Sequence, residues 1–348
     1  MTVTGVPVSL SRSRTAGAVP TEGPLVDRFG RVHDDLRISL TDRCNLRCTY
    51  CMPAQGMVFQ DRADHLEAGE ILAVTAVARS LGVSAVRLTG GEPLLRRDVV
   101  PIVAGLAALG FEDLAMTTNG SRLAALAPDL AAAGLRRVNV SCDSLDPDRF
   151  AAIRRRGRLE VVLGAMDAAE EAGLGPVKVN MVPLAGVNDD EIEAFAGFGR
   201  DRGRIVRFIE FMPLDGEGTW ARGDVVVADE ILERINRRWP IEPVPGPDPA
   251  PASRFRYLDG AGEIGMVASV SRPFCGTCNR LRLTADGAVR NCLFSDEEPS
   301  LRQVIRSGGG PAEIEAVLRA SVWGKEPGHG INDPGFLRPA RSMSMIGG

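Results

Sequence analysis

From residue 36 to residue 212 short apolar, β-branched runs alternate with Ala- and Leu-rich stretches of helical period, and this alternation restricts the fold more than any single residue does. The short runs are LRISL (36–40), AVRLTG (85–90), DLAMTTN (113–119), RRVNVSC (136–142), VKVNMVPL (177–184) and RIVRFIEFM (204–212). Between them lie stretches such as AGEILAVTAVARSLG and EVVLGAMDAAEEAG, several of which end in Gly as helix C-termini often do. Six strand–helix units in series predict an α/β fold with a parallel sheet and right-handed crossovers. Periodicity does not separate an open sheet from a partly closed barrel, but in both the loops after the C-terminal strand ends carry the site. The unusual residues collect there: Cys44, Cys48 and Cys51 after the first run, GGEP (90–93) after the second, Thr118 and Asn119 after the third, Ser141 and Asp143 after the fourth, and Met212 after the sixth.

With 348 residues and 44% apolar content the chain can bury a large core. Residues 1–27, rich in Ser, Thr, Gly and Pro and lacking the apolar centre of a secretory signal, are expected to be a mobile leader; their Arg and Ser leave a weak organelle-targeting reading open. A core of residues 28–240 is followed by PIEPVPGPDPAPAS (240–253), too proline-rich for a helix or a central strand. Beyond that break a smaller C-terminal region, 241–348, contains strand-like RFRYL and IGMVASV, a helical PAEIEAVLRASVWGK and a tail, SMSMIGG, that is mobile by composition. The formal net charge of -4 argues against a general nucleic-acid-binding surface, and no apolar run is long enough to span a bilayer. Of the 41 Lys and Arg residues only Lys178 and Lys325 are lysines, so a Lys at either place goes against a strong bias.

Seven cysteines, six of them in two clusters, suit metal ligation in a reducing compartment, the cytoplasm, better than a disulfide framework. Cys44, Cys48 and Cys51 in CNLRCTYC have C-x3-C-x2-C spacing, which can hold three irons of a four-iron cluster and leave the fourth open. Zinc would need a fourth ligand, and none of the three histidines lies in either cysteine motif. Cys275 and Cys278, spaced C-x2-C, are joined by Cys292 thirteen intervening residues later, again without a fourth ligand. A zinc knuckle fits this set less well than a second cluster with an open iron. Cys142 is expected to be an ordinary buried thiol near the fourth strand.

With GGEP one unit after CNLRCTYC, the sequence resembles the radical S-adenosylmethionine family. LRISLTDRCNLRCTYCMP, RLTGGEPLLRRD, TTNG, RVNVSCDSLD, VKVNMV, RFIEFMPLD, CGTCNRLRLTADG and the terminal GG together narrow the resemblance to the GTP 3′,8-cyclases of molybdenum cofactor biosynthesis, over roughly residues 30 to 348. The resemblance implies a partial (βα)6 TIM-like barrel with a smaller C-terminal α+β region and two [4Fe-4S] clusters. Cys44, Cys48 and Cys51 would bind the first cluster, whose open iron takes S-adenosyl-L-methionine in a pocket lined by Tyr50, Gly91, Ser141 and Met212. Cys275, Cys278 and Cys292 would hold the second, with its open iron facing the guanine of GTP. Arg37, Arg87, Thr118, Lys178, Arg280, Leu281 and Arg282 would contact GTP, and Gly347 and Gly348 would enter the active site.

The implied reaction begins with removal of the ribose 3′ hydrogen by a 5′-deoxyadenosyl radical and ends in 3′,8-cyclo-7,8-dihydro-GTP. It needs an external electron donor, and the family relation sends its product to cyclic pyranopterin monophosphate synthase; a homodimer is left open. A triphosphate calls for Arg and Lys from separate strands, as this set provides, whereas most other arginines are expected at solvated or ion-paired positions. Thr118 also fits a helix cap and Met212 a core residue. The rival readings are a radical enzyme that modifies peptides and a zinc-stabilised module without activity. One structural expectation follows from the hairpin after Cys278. Only a three-residue loop, Ala285-Asp286-Gly287 with Gly287 left-handed, pairs Cys292 with Arg280 and puts both on the face of Arg282; a two-residue turn would pair Cys292 with Leu281.

Overall fold

The computed structural model describes residues 17–245 and 252–347. The six apolar runs form parallel strands: β1 (Asp35–Ser39), β2 (Ala85–Thr89), β3 (Asp113–Thr118), β4 (Arg137–Ser141), β5 (Lys178–Met181) and β6 (Ile205–Ile209). Helices α1 (Ala68–Ser80), α2 (Val99–Ala108), α3 (Leu123–Ala132), α4 (Pro147–Arg154) with α5 (Leu159–Glu171), and α6 (Ile192–Arg202) make the crossovers, and α7 (Ala228–Arg238) follows β6.

Residues after 240 extend the same sheet at both edges. On one side lie the short β7 (Ile241–Pro243), then β8 (Ser253–Tyr257) and β9 (Glu263–Val267), the last parallel to β6. On the other lie β10 (Arg280–Leu283), parallel to β1, and β11 (Val289–Arg290). The order is β11-β10-β1-β2-β3-β4-β5-β6-β9-β8-β7. Pro243 is accommodated because β7 is an edge strand, where a missing N–H costs no ladder bond. Helices α8 (Leu301–Arg306), α9 (Pro311–Trp323) and α10 (Met343–Ile346) complete the chain.

Alternation along each strand sorts the residues onto two faces. Leu36 and Ile38, Val86 and Leu88, and Val179 and Met181 join the core under the helices. On the opposite face Arg37, Arg87, Asn139, Asn180, Arg207 and Arg282 line one cavity of about 300 Å³. Because Arg282 of β10 and Val267 of β9, on strands at opposite ends of the parallel run, line the same cavity, the sheet is curved into a partial barrel.

Two segments expected to be mobile are packed. The end of the leader is ordered: the Leu25 N–H donates to the Leu81 carbonyl, and Leu25 and Asp27 are buried. Arg31 explains the anchoring, since its guanidinium donates to the carbonyls of Cys275 (2.7 Å) and Glu326 (2.8 Å) and pairs with Asp27. The tail is held as well, because Ile346 is buried and the Met343 N–H donates to the Leu214 carbonyl at 3.0 Å. Residues 1–16 and Gly348 lie outside the described residues.

Candidate active site

The first three cysteines sit on the loop after β1, and this loop is gripped from two sides. The GGEP turn after β2 runs along it: the Gly91 N–H donates to the Thr41 carbonyl (2.7 Å) and the Glu92 N–H to the Arg43 carbonyl (2.8 Å). A Cβ at Gly90, whose φ is +146°, would stand 2.5 Å from the Thr41 oxygen. The close approach that the two glycines permit is therefore to the cysteine loop's own backbone. From the other side, the Arg47 and Thr49 N–H groups donate to the carbonyls of Arg154 and Ile153 at the end of α4.

Glu92 and Asp143 order the groups around this loop. The Glu92 carboxylate accepts from Thr118 Oγ1 (2.7 Å), the Asn119 N–H (2.7 Å) and the Leu94 N–H (3.0 Å), and burial pushes its pKa up. Asp143 accepts from the Tyr50 hydroxyl (2.8 Å) and pairs with Arg154 (2.8 Å), which also reaches Cys48 Sγ at 3.6 Å. Burial pushes the Cys44 thiol up to about 11 and raises Cys48 and Cys51 too. Ser141 and Met212 line the cavity at the ends of β4 and β6.

The second triad is built by the hairpin. Gly287 has φ +80°, the Thr284 N–H donates to the Ala288 carbonyl, and Arg282 pairs with Arg290. Continued by two residues, this register sets Cys292 opposite Arg280, as the three-residue loop requires. Cys275, Cys278, Cys292, Arg280 and Arg282 all line the cavity, while Leu281 points into the core. Burial alone would raise the Cys278 thiol, but Arg280 and Lys325 bring it down to about 6. Cys275 is raised by burial.

Arg282, Arg37 and Arg87 stand side by side in register on three adjacent strands. Burial, reinforced by neighbouring arginines, lowers Arg37 and Arg282 to about 9 and Arg87 to about 10. Among the described residues Arg37 Nε, Arg87 Nε, and Arg280 Nε and Nη2 are buried without hydrogen-bond partners, and the nearest carboxylate to Arg37 is Asp35 at 4.0 Å. Buried donors of this kind call for an anionic ligand. Lys178 does not line the cavity wall; burial and the charges of Arg207, Arg137 and Arg87 lower it to about 7.

The Thr118 hydroxyl donates to Glu92 at 2.7 Å and its oxygen accepts the Gly120 N–H at 3.1 Å, so its polar group serves the loop after β3. The Gly347 carbonyl accepts from Arg282 Nη1 at 2.5 Å, so the tail reaches the basic wall. Cys142 is a buried thiol at the end of β4, pushed up to about 12 by burial.

All seven cysteines are free. Each triad offers three thiols, with N–H groups directed at the sulfurs, as from Leu46 to Cys44 and from Lys325 to Cys278. Among the described residues no three His, Cys, Asp or Glu side chains surround a position for one metal ion. The donor sets thus fit iron–sulfur clusters better than mononuclear zinc.

Residues 38–199 match the Radical SAM superfamily model and residues 204–331 match Molybdenum Cofactor Synthesis C. GTP 3′,8-cyclase of Mycobacterium sp. (strain KMS) is 50% identical over 353 residues, covering 100% of each chain. That of Corynebacterium glutamicum is 46% identical over 354 residues, covering 98% of this chain and 94% of its own. The chain belongs to the GTP 3′,8-cyclase family. Among solved structures, Streptococcus suis SuiB bound to precursor peptide SuiA superposes with a TM-score of 0.59 at 14% identity, covering 84% of this chain and 67% of SuiB. anSMEcpe with bound AdoMet gives 0.55 at 14% identity, covering 85% and 79%. At this identity the likeness shows a shared fold alone and does not favour a peptide substrate; the superfamily rests on the match of residues 38–199.

The motifs that mark the family left several residues of the site unmarked. Arg154, under the first cysteine loop, had no signal beyond a run of arginines at 154–156. Arg207 could have been found from alternation, as an Arg at an inward position between Val206 and Phe208. Arg31 lay close to a segment set aside as a leader.

Proposed function

We propose that this chain converts GTP to (8S)-3′,8-cyclo-7,8-dihydroguanosine 5′-triphosphate, the first step of molybdenum cofactor biosynthesis. The observation that carries this reading is one cavity lined by both cysteine triads and by buried arginines whose N–H groups lack partners. When bound at the first triad, a [4Fe-4S] cluster and S-adenosyl-L-methionine supply one-electron chemistry that generates a carbon radical able to take the ribose 3′ hydrogen.

The protein's part is geometric. Arg37, Arg87 and Arg282 hold the triphosphate, Arg280 and the second triad hold the base end, and Lys178, outside the cavity lining, makes no direct contact with the nucleotide in this arrangement. The Tyr50–Asp143–Arg154 network fixes the wall of the S-adenosylmethionine pocket, with Gly91, Ser141 and Met212 beside it. The barrel wall and the tail exclude water, so that the ribose carbon and C8 meet before a competing reaction intervenes. In this reading residues 28–240 are the catalytic core and 241–348 carry the second cluster and the Gly347-Gly348 tail. An external reductant supplies the electron, and the product passes to cyclic pyranopterin monophosphate synthase. We place the enzyme in the cytoplasm; no described helix is long and apolar enough to cross a membrane.

The test is anaerobic incubation of the reconstituted protein with GTP, S-adenosylmethionine and a reductant. The reading expects 5′-deoxyadenosine and a cyclised nucleotide to form in step. Zinc without iron and sulfide, or 5′-deoxyadenosine without a cyclised nucleotide, would defeat it.

A further inference from the structure

Lys325, two residues past the end of α9, is 3% exposed and lies against the second triad. Its Nζ donates to Cys278 Sγ at 3.3 Å and to the Arg280 carbonyl at 2.9 Å. It is one of only two lysines beside 39 arginines, counted from the sequence. The slot between a sulfur and a strand carbonyl takes a compact ammonium and would not take a broad planar guanidinium without rearrangement.

The first triad sits in a different field. Cys44 receives the Leu46 N–H at 3.4 Å and Asn119 Nδ2 at 3.7 Å, both neutral donors, with the buried Glu92 close by. The cation near Cys48 is Arg154, and its charge is already matched by Asp143 at 2.8 Å. Reducing an iron–sulfur cluster adds negative charge, so a cation and an N–H donor on a ligating sulfur stabilise the reduced form more than the oxidised one.

We propose that Lys325 is a positioning residue that raises the reduction potential of the second iron–sulfur site above that of the first, through its contact with the Cys278 sulfur. This rests on the reading of both triads as cluster sites. The competing role is mechanical: through the Arg280 carbonyl, Lys325 ties the end of α9 to β10. A mechanical tie would alter stability and leave the potential where it is.

The experiment uses the full chain, reconstituted anaerobically without nucleotide, and follows both centres by electron paramagnetic resonance during a potentiometric titration. A C44A/C48A/C51A variant isolates the second signal. In the otherwise native protein the second centre should titrate at the higher potential. Lys325→Met should reduce its one-electron reduction constant about tenfold, or 59 mV, and leave the first centre unchanged. Lys325→Arg, if it loads iron, should retain part of the effect.

A second centre at or below the first in the native chain overturns the proposal. So does a Met variant that keeps its iron and its potential. If Lys325→Met does not load the second centre, the native order of the two potentials decides the matter. Zinc at the triads would instead refute the cluster reading itself, and would be seen in the metal content before any potential is measured.

Discussion

Gly347→Ala should expel the C-terminal tail from the barrel. Gly347 has φ +88° and ψ 114°, a conformation that costs an L-residue of order 1–3 kcal/mol. A Cβ there would stand 2.5 Å from Thr89 Oγ1 and 3.0 Å from Ser39 Oγ, both buried side chains, which adds an overpacking cost of about 1–3 kcal/mol. Against roughly 2–6 kcal/mol in all, the tail is held by burial of Ile346, worth about 1.5–3 kcal/mol, the Arg282 bond to the Gly347 carbonyl, and the Arg341 pairs with Asp286 (2.9 Å) and Glu298 (2.7 Å). The strain is comparable to the attachment, so it is relieved by undocking the tail rather than by shifting the barrel. Limited trypsin digestion reads this directly, because cleavage after Arg341 releases SMSMIGG, which mass spectrometry detects. Where cleavage tracks the open population, a docking loss of about 2 kcal/mol speeds release about 30-fold. Release within twofold of the native rate would refute the docked tail and the strain assigned to Gly347.

Three further outcomes follow from the same geometry. Arg154→Leu leaves the buried Asp143 carboxylate without its cation, a loss of about 3–5 kcal/mol, and should lower the thermal midpoint by several degrees and weaken iron loading at Cys44, Cys48 and Cys51; an unchanged midpoint would rule out the buried pair. Arg37→Met should weaken GTP binding to anaerobic protein about tenfold to a hundredfold, the worth of one or two charge-assisted bonds, while leaving both clusters in place; unaltered affinity in equilibrium dialysis would remove Arg37 from the triphosphate site. Burial lowers His33 from 6.5 to about 4, so the unfolded chain binds its proton first: stability is full above pH 6.5 and falls as pH drops from 6.5 to 4, by at most about 3.5 kcal/mol at 1.4 kcal/mol per tenfold change in proton affinity. The thermal midpoint of His33→Gln should vary less over that interval than the native one, and parallel curves would refute the assignment.

Strand positions and both cysteine sets were legible because they are local: alternation marks a half-buried strand, and ligand spacing survives in the order of residues. The Gly287 loop was legible indirectly, since only one register puts Cys292 on the face of Arg280. The GGEP turn is legible as a loop beside the site, and Gly90 and Gly91 line the cavity. Their close approach to Thr41 and Arg43 is a contact between two loops that no local pattern records. Arg154 is invisible for the same reason, since it meets Cys48 only across a sequence separation of 106 residues.

The two ends of the chain show where composition misleads. A Ser-, Met- and Gly-rich tail has little propensity for ordered structure, and a Gly- and Pro-containing leader has little more, so taken alone both read as mobile. What orders their described parts, residues 17–27 and 341–347, is a small number of cations whose partners are far away in sequence. Arg282 binds the Gly347 carbonyl, Arg341 bridges Asp286 and Glu298, and Arg31 grips the carbonyls of Cys275 and Glu326. Each of these contacts ends on the hairpin that carries the second triad or on the segment beside it. Ordering the ends and assembling that triad are therefore coupled, and sequence patterns within either segment carry no trace of that coupling.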